Sequence, residues 1–189
     1  NMQDDLHAEH VFVIDPIDGT MNFVKNFNHS CISIGYLHNG VPTAAAVYDP
    51  YMDEMFSAIK GEGAWLNGTT IRAAETPLSE NVFSMGTSPY IPENTDESFR
   101  LARIAYDASL DLRRGASAEL DLAYVAAGRS GLFFELSLSF WDYAAGMLLV
   151  EEAGGKCTSL DFSPLPLDGR KSSVLAGGRQ CYDDFAKLM

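Results

Sequence analysis

The sequence predicts an α/β protein of layered, α+β character, and three features of the chain carry that expectation. The first half is a series of short β-branched and aromatic runs parted by turn residues. The second half alternates such runs with helical periodicity, and glycines stand where those helices should stop. In chain order the expected strands of the first half are "HVFVID" (10–15), "CISIGYL" (31–37), "VPTAAAVYD" (41–49), "EMFSAIK" (54–60) and "GAWLNG" (63–68). Asn39-Gly40 and Asn67-Gly68 tolerate positive φ in tight hairpins, and Asp49-Pro50 breaks the chain between two strands, so antiparallel pairing is expected. In the second half, strands at "NVFSMG", "SGLFFEL", "KCTSL" and "SSVLAGG" alternate with helical patterns at "DESFRLARIAYDAS", "AELDLAYVAAG" and "WDYAAGMLLVEEAGG". Gly128 and Gly154-Gly155 occupy C-terminal cap positions. No repeat or linker interrupts the chain. Residues 1–85, the antiparallel part, and 86–189, the α/β part, are therefore expected to form one compact unit.

A chain of 189 residues with 47% hydrophobic content can bury a sizeable core. Its 26 acidic residues against 13 basic ones give a formal charge of −13, which argues against a nucleic-acid partner because phosphate backbones are bound by clustered Lys and Arg. Cys31, Cys157 and Cys181 are odd in number and widely spaced, so they are expected to be buried free thiols in a reducing compartment. No apolar run is long enough to span a membrane and the first ten residues are polar, which makes a cytoplasmic location the expectation.

The stretch "VFVIDPIDGTMNF" (11–23) raises the chemical question. A strand is expected to deliver Asp15 at its end, Pro16 to deny the next ladder hydrogen bond, and Gly19 to permit a sharp reversal, so that Asp15 and Asp18 converge. Two carboxylates that close repel unless protonated or bridged by a cation, and their oxygens suit hard Mg²⁺. The carbonyl of Ile17 lies between them as a further oxygen. A helix starting at Thr20 leaves the N–H groups of Gly19 and Thr20 to face an anion. Turn capping by the two aspartates is the competing explanation. Asp142 follows Trp141 and opens the small-residue helix; it is a helix cap or a third acid of the same cluster, because Ala144, Ala145 and Gly146 permit close approach to a neighbour. None of the four histidines stands at a metal-ligand spacing and no Ser or Cys sits in a nucleophile motif, so zinc and covalent chemistries are not expected.

"DPIDGT" at 15–20 and "WDYAAGMLLVEEAGG" at 141–155, in this order, resemble the motifs of the inositol monophosphatase family, and similarity continues through "GEGAWLNG" and "RRGASAELDLAYVAAGR". The resemblance implies an αβαβα sugar-phosphatase sandwich and Mg²⁺-dependent hydrolysis of a phosphate monoester by water. It implies metal ligation by Asp15, Ile17 (through its carbonyl), Asp18 and Asp142. Asp18 and Thr20 fall on catalytic positions, and Gly19, Thr20, Ser117, Ala118 and Glu135 on substrate or phosphate contacts, Glu135 accepting sugar hydroxyls. A small-molecule phosphate ester is the expected partner, with no nucleic acid or membrane, and a homodimer is the expected assembly.

The family's upstream helical segment, whose glutamate binds metal and helps activate water, has no match here, and Asp4, Asp5 and Glu9 are expected to be surface charges. Ala116 stands where many members have Gly, and Glu119 where a small residue is common. Within the superfamily, inositol monophosphate or a similar polyol phosphate is the expected substrate. Fructose 1,6-bisphosphate, nucleotide or histidinol phosphate hydrolysis, and non-catalytic metal or phosphate binding, are the alternatives.

Overall fold

The computed structural model describes Leu6 and residues 8–189; Asp4 and Asp5 lie outside the described residues, and Glu9 is exposed as expected. The first sheet is an antiparallel meander in the order β1-β2-β3-β4-β5-β6. Its strands are β1 (His10–Asp18), β2 (Cys31–His38), β3 (Val41–Asp49), β4 (Glu54–Ile59), β5 (Gly63–Leu66) and β6 (Thr69–Thr70). The Asn-Gly pairs perform as the sequence implies: Asn39, Gly40, Asn67 and Gly68 all take positive φ. Asp49 makes the break before Pro50 by accepting from Tyr51 N at 2.9 Å and Met52 N at 3.2 Å through Oδ1.

The second sheet contains β7 (Val82–Met85), β8 (Asp111–Arg113), β9 (Leu132–Leu138), β10 (Lys156–Thr158) and β11 (Ser172–Gly177), in the order β10-β11-β9-β7-β8. β7 pairs parallel with β8 and β9, whereas β11 pairs antiparallel with β9 and β10. The helices are α1 (Thr20–Val24), α2 (Thr95–Ala108), α3 (Ala118–Ala126), α4 (Ala144–Glu152) and α5 (Arg179–Ala186). Helices α3 and α4 lie between the two sheets, touching β2 and β3 on one side and β11 on the other. α2 and α5 cover the far face of the second sheet around Phe83, Phe134, Leu101 and Phe185.

The described residues thus stack as β-α-β-α. The outer face of the first sheet carries no helical layer among them, and Phe12, Ile14, Ile32 and Ile34 stand exposed there. β6, β8 and α5 are additions to the sequence expectation. All three cysteines are free and buried, as expected. No helix among the described residues is long and apolar enough to cross a membrane.

Both central helices are buried almost all round, so contact between them is the tightest constraint on the fold. A Cβ at Gly146 of α4 would sit 2.5 Å from Leu122 Cβ and 2.7 Å from Glu119 Oε2 of α3. Replacing Gly by Ala within a helix ordinarily gains about 1 kcal/mol of propensity, but overpacking a close-packed core costs about 1–3 kcal/mol. Gly146→Ala is therefore expected to lower the urea midpoint of unfolding, and a midpoint at or above the parent's refutes the close-contact reading.

Candidate active site

β1 does not end at Asp15. It runs through Pro16 and Ile17 to Asp18, with a bulge in between: Asp15 lies opposite Ser33 and Asp18 opposite Cys31, so the step from 15 to 18 faces only that from 33 to 31. One extra residue is inserted at Pro16-Ile17, where the proline has no N–H to lose from the ladder. Strand side chains alternate faces, so positions three apart in a regular strand point oppositely. The bulge corrects that parity and turns both aspartates to the inner side. This corrects the sequence expectation, which assigned the convergence to a turn.

The turn follows Asp18. Gly19 adopts φ +81°, and a Cβ there would lie 3.0 Å from His29 O and 3.1 Å from Ser117 Cβ, so a side chain is excluded by conformation and by space. α1 then starts at Thr20 as expected, and the Thr20 hydroxyl donates to Ile17 O at 2.9 Å.

Asp142 does not open α4. It closes a 3₁₀ turn over Phe140–Asp142 just before that helix, and its Oδ2 accepts from Ser139 N at 2.7 Å. Gly35 of β2 lets the start of α4 come close, since a Cβ there would lie 3.3 Å from Ala144.

Asp15, Asp18 and Asp142 meet, each offering one oxygen within 4.8 Å of the others. Each carboxylate also has one oxygen held by the protein. Asp15 Oδ1 accepts from Ile17 N at 3.0 Å. Asp18 Oδ2 accepts from the Ser117 hydroxyl, and from Glu119 N at 3.0 Å. Asp142 Oδ2 is the one held by Ser139. The second oxygen of each has no hydrogen-bond partner among the described residues. Burial raises all three carboxyls above their ordinary range, and Asp18 is pushed up to about 7. For Asp18, burial outweighs the Ser117 and Glu119 donors, and the charges of Asp15 and Asp142 add to the rise. Three acids that resist ionisation together, each with one oxygen unengaged and one within 4.8 Å of the others, fit a hard divalent cation.

The cluster opens onto a cleft of about 490 Å³. Asp18, Gly19, Thr20, Ser117, Ala118 and Glu135 line it, together with Asp142. Ser117 is the residue before α3, and its hydroxyl is engaged by Asp18. Glu135 is not at a strand end but in the middle of β9 and nearly buried. Its Oε1 accepts from Ser88 N at 2.9 Å and Ser88 Oγ at 3.1 Å, and Oε2 stands over Gly86, where a Cβ would be 1.8 Å away. Burial pushes the Glu135 carboxyl up despite the Ser88 donors. Sequence reasoning missed Ser88, Gly86, Arg114 and Lys171, all on the cleft wall. Arg114 lay inside the quoted "RRGASAEL" and its charge was the available signal; nothing in the sequence around Lys171 marks it.

The sequence profile of the inositol monophosphatase family matches residues 2–188. The chain belongs to the inositol monophosphatase family. It is 44% identical over 146 residues to Nus factor SuhB of Xylella fastidiosa, covering 77% of this chain and 53% of that protein. It is 38% identical over 170 residues to the inositol-1-monophosphatase of Rhizobium meliloti, covering 89% of this chain and 63% of that protein. The solved inositol monophosphatase from Anabaena (Nostoc) sp. PCC 7120 superposes with a TM-score of 0.87 at 36% identity, over 96% of this chain and 72% of that one. The chain thus spans about half to two thirds of the length of the curated relatives it matches. Two departures from the inositol monophosphatase pattern have structural meaning. Ala116 takes φ +64°, the left-handed region that a glycine occupies without strain. Glu119 is fully buried, accepting from Ala145 N at 3.2 Å and Gly146 N at 2.6 Å at the start of α4.

The folded-state rise of Asp18 sets a sign. A carboxyl that binds its proton more tightly when folded contributes most stability when protonated. That contribution declines as pH climbs from the unfolded value of 3.8 to about 7. The decline amounts to on the order of 4 kcal/mol, and a bound cation offsets it. In Asp18→Asn the amide oxygen still accepts from Ser117 and Glu119 while the charge is gone. Without divalent cations at pH 8 this variant is expected to melt at or above the parent's Tm, and Mg²⁺ is expected to raise the parent's Tm but not the variant's. A variant that melts far below the parent at every pH is the opposing result.

Proposed function

We propose that this chain carries the catalytic centre of a Mg²⁺-dependent phosphatase acting on inositol monophosphate or a similar polyol phosphate. The observation that carries the reading is the trio Asp15, Asp18 and Asp142, each with one oxygen tied and one free, beside a cleft that ends at the buried Glu135. The three free carboxylate oxygens and the carbonyl of Ile17 would hold Mg²⁺, an all-oxygen donor set of the kind that cation prefers. When bound, the cation supplies charge stabilisation for the transferring phosphoryl group and lowers the pKa of the attacking water.

The chain's own groups do the positioning. The Thr20 hydroxyl gives its proton to Ile17 O, so its lone pairs remain to accept from the attacking water and fix its line of approach. Gly19 has no side chain, which lets the turn after Asp18 pack against His29 and Ser117 at the wall of the cleft. Arg114 and Lys171 on the cleft wall bring positive charge to an otherwise acidic molecule, where a phosphate ester needs it. Glu135 accepts substrate hydroxyls through Oε2, since Ser88 occupies Oε1. The family's relatives include a protein named inositol-1-monophosphatase, which supports the polyol class.

A second reading, that the chain serves as a Nus factor, rests on the name of the 44% identical relative. Retention of the cellular role by an inactive Asp18→Asn variant favours it over hydrolysis.

Phosphate release from inositol 1-phosphate is expected to require Mg²⁺ and to fall by about 10²-fold or more in Asp18→Asn. Glu135→Ala is expected to weaken turnover of polyol phosphates more than that of a plain aryl phosphate. Higher activity on fructose 1,6-bisphosphate, a nucleotide or histidinol phosphate reassigns the substrate, and equal losses on both substrates remove Glu135 from hydroxyl recognition.

A further inference from the structure

Histidine spacing along the chain suggests no metal site, but the antiparallel register of β1 and β2 sets His10 directly opposite His38. Their rings stack with centroids 5.0 Å apart and planes 9° from parallel. Glu9 completes the group: its Oε1 lies 3.5 Å from His38 Nε2 and 3.7 Å from His10 Nε2. One ligand atom from each of the three residues falls within 4.8 Å of the other two.

Neighbouring groups hold this arrangement. The Glu9 carbonyl accepts from Asn39 N at 2.8 Å, which ties the residue to the β2–β3 hairpin turn. His10 Nδ1 lies 2.7 Å from the Tyr36 hydroxyl, a partner that fixes the ring and leaves Nε2 facing the group. Asn39 Nδ2 lies 3.3 Å from His38 Nε2. An amide nitrogen only donates, so that ring nitrogen is the unprotonated one, and a cation would take the place of the Asn39 contact. His10, held at Nδ1 with Nε2 turned to the group, has the usual arrangement of a metal-binding histidine.

We propose that Glu9, His10 and His38 form a second cation site, which takes a borderline divalent transition metal such as Zn²⁺ and clamps the edge strand β1 to β2. Two imidazoles and one carboxylate suit Zn²⁺, whereas the aspartate cluster offers oxygens alone and suits Mg²⁺. A tetrahedral ion with bonds of about 2.0–2.1 Å sets its ligands about 3.3 Å apart. The two Glu9 contacts are already close to that spacing, and the parallel rings have to tilt toward each other to bring both Nε2 lone pairs onto one ion, a movement that their exposure permits. Three protein ligands leave one position for water. The formal charge of −13 favours any cation at this surface. The site lies at the start of β1, whereas the aspartates lie at its end.

Calorimetric titration with Zn²⁺ of the chain held in excess Mg²⁺ tests this. One equivalent is expected to bind, to persist in Asp18→Asn, and to be lost in His10→Ala and His38→Ala. Glu9→Gln keeps the backbone contacts and is expected to weaken binding without changing the far-ultraviolet circular dichroism, which separates ligation from folding. Tyr36→Phe is expected to retain the stoichiometry at about tenfold lower affinity. Zn²⁺ is also expected to raise the Tm of the parent but not of His38→Ala. Absence of Zn²⁺ uptake by the parent overturns the proposal, and so does uptake that survives in both histidine variants or that disappears only in Asp18→Asn.

Discussion

The carboxylate of Asp18 is the junction on which the rest of the molecule depends. Through one oxygen it accepts from the Ser117 hydroxyl and the Glu119 N–H, and so fixes the end of the first sheet to the start of α3, about a hundred positions further along the chain. A buried carboxylate is costly unless its lone pairs are satisfied. The helix start supplies that satisfaction on one side only. The other oxygen has no hydrogen-bond partner among the described residues, so its charge is met by a proton or by a cation, and Asp15, Asp142 and the cleft adjoin the group.

Glu119 extends the junction by one link. Its backbone serves Asp18 while its side chain accepts from the first N–H groups of α4, the helix that follows Asp142. A negative group at a helix N-terminus is favoured by the helix dipole. Burial and the neighbouring Asp18 nonetheless raise the Glu119 carboxyl well above its ordinary range. Gly146 permits this arrangement because any side chain there would strike both Leu122 and Glu119. The positions of Asp18 and Asp142 are thus coupled through one buried acid and one missing methyl group, while the distant β1–β2 end with its histidines is set by strand register and by the contacts of Asn39 and Tyr36.

Much of this was legible in the sequence because it is written in local chemistry. The Asn-Gly hairpins, the Asp49 break and the glycines after α3 and α4 act within a few residues, and the strands and helices they delimit appear where periodicity puts them. The aspartates were identifiable from the spacing of "DPIDGT" and from the small residues after Asp142. What escaped was either short or non-local. β6 and β8 span two and three residues, too few to show a period, and α5 buries only Cys181, Tyr182 and Phe185 among polar neighbours. Ser88, Gly86 and Lys171 reach the cleft only because the second sheet and its loops bring them there. Glu135 was identifiable as a hydroxyl-binding candidate, but its burial was not, because β11, which pairs beside it, lies some 40 positions later.

The bulge in β1 has an evolutionary consequence. Connecting loops absorb insertions and deletions readily because no side-chain parity is at stake. Between Asp15 and Asp18 the count itself carries the chemistry. Pairing that three-residue step in a regular ladder, without the bulge, would turn one carboxylate to the outer face, so count and bulge can change only together. Descent can vary the identity of Ile17 far more freely than it can vary the length of the segment, so the spacing of the two aspartates should outlast the residues that fill it.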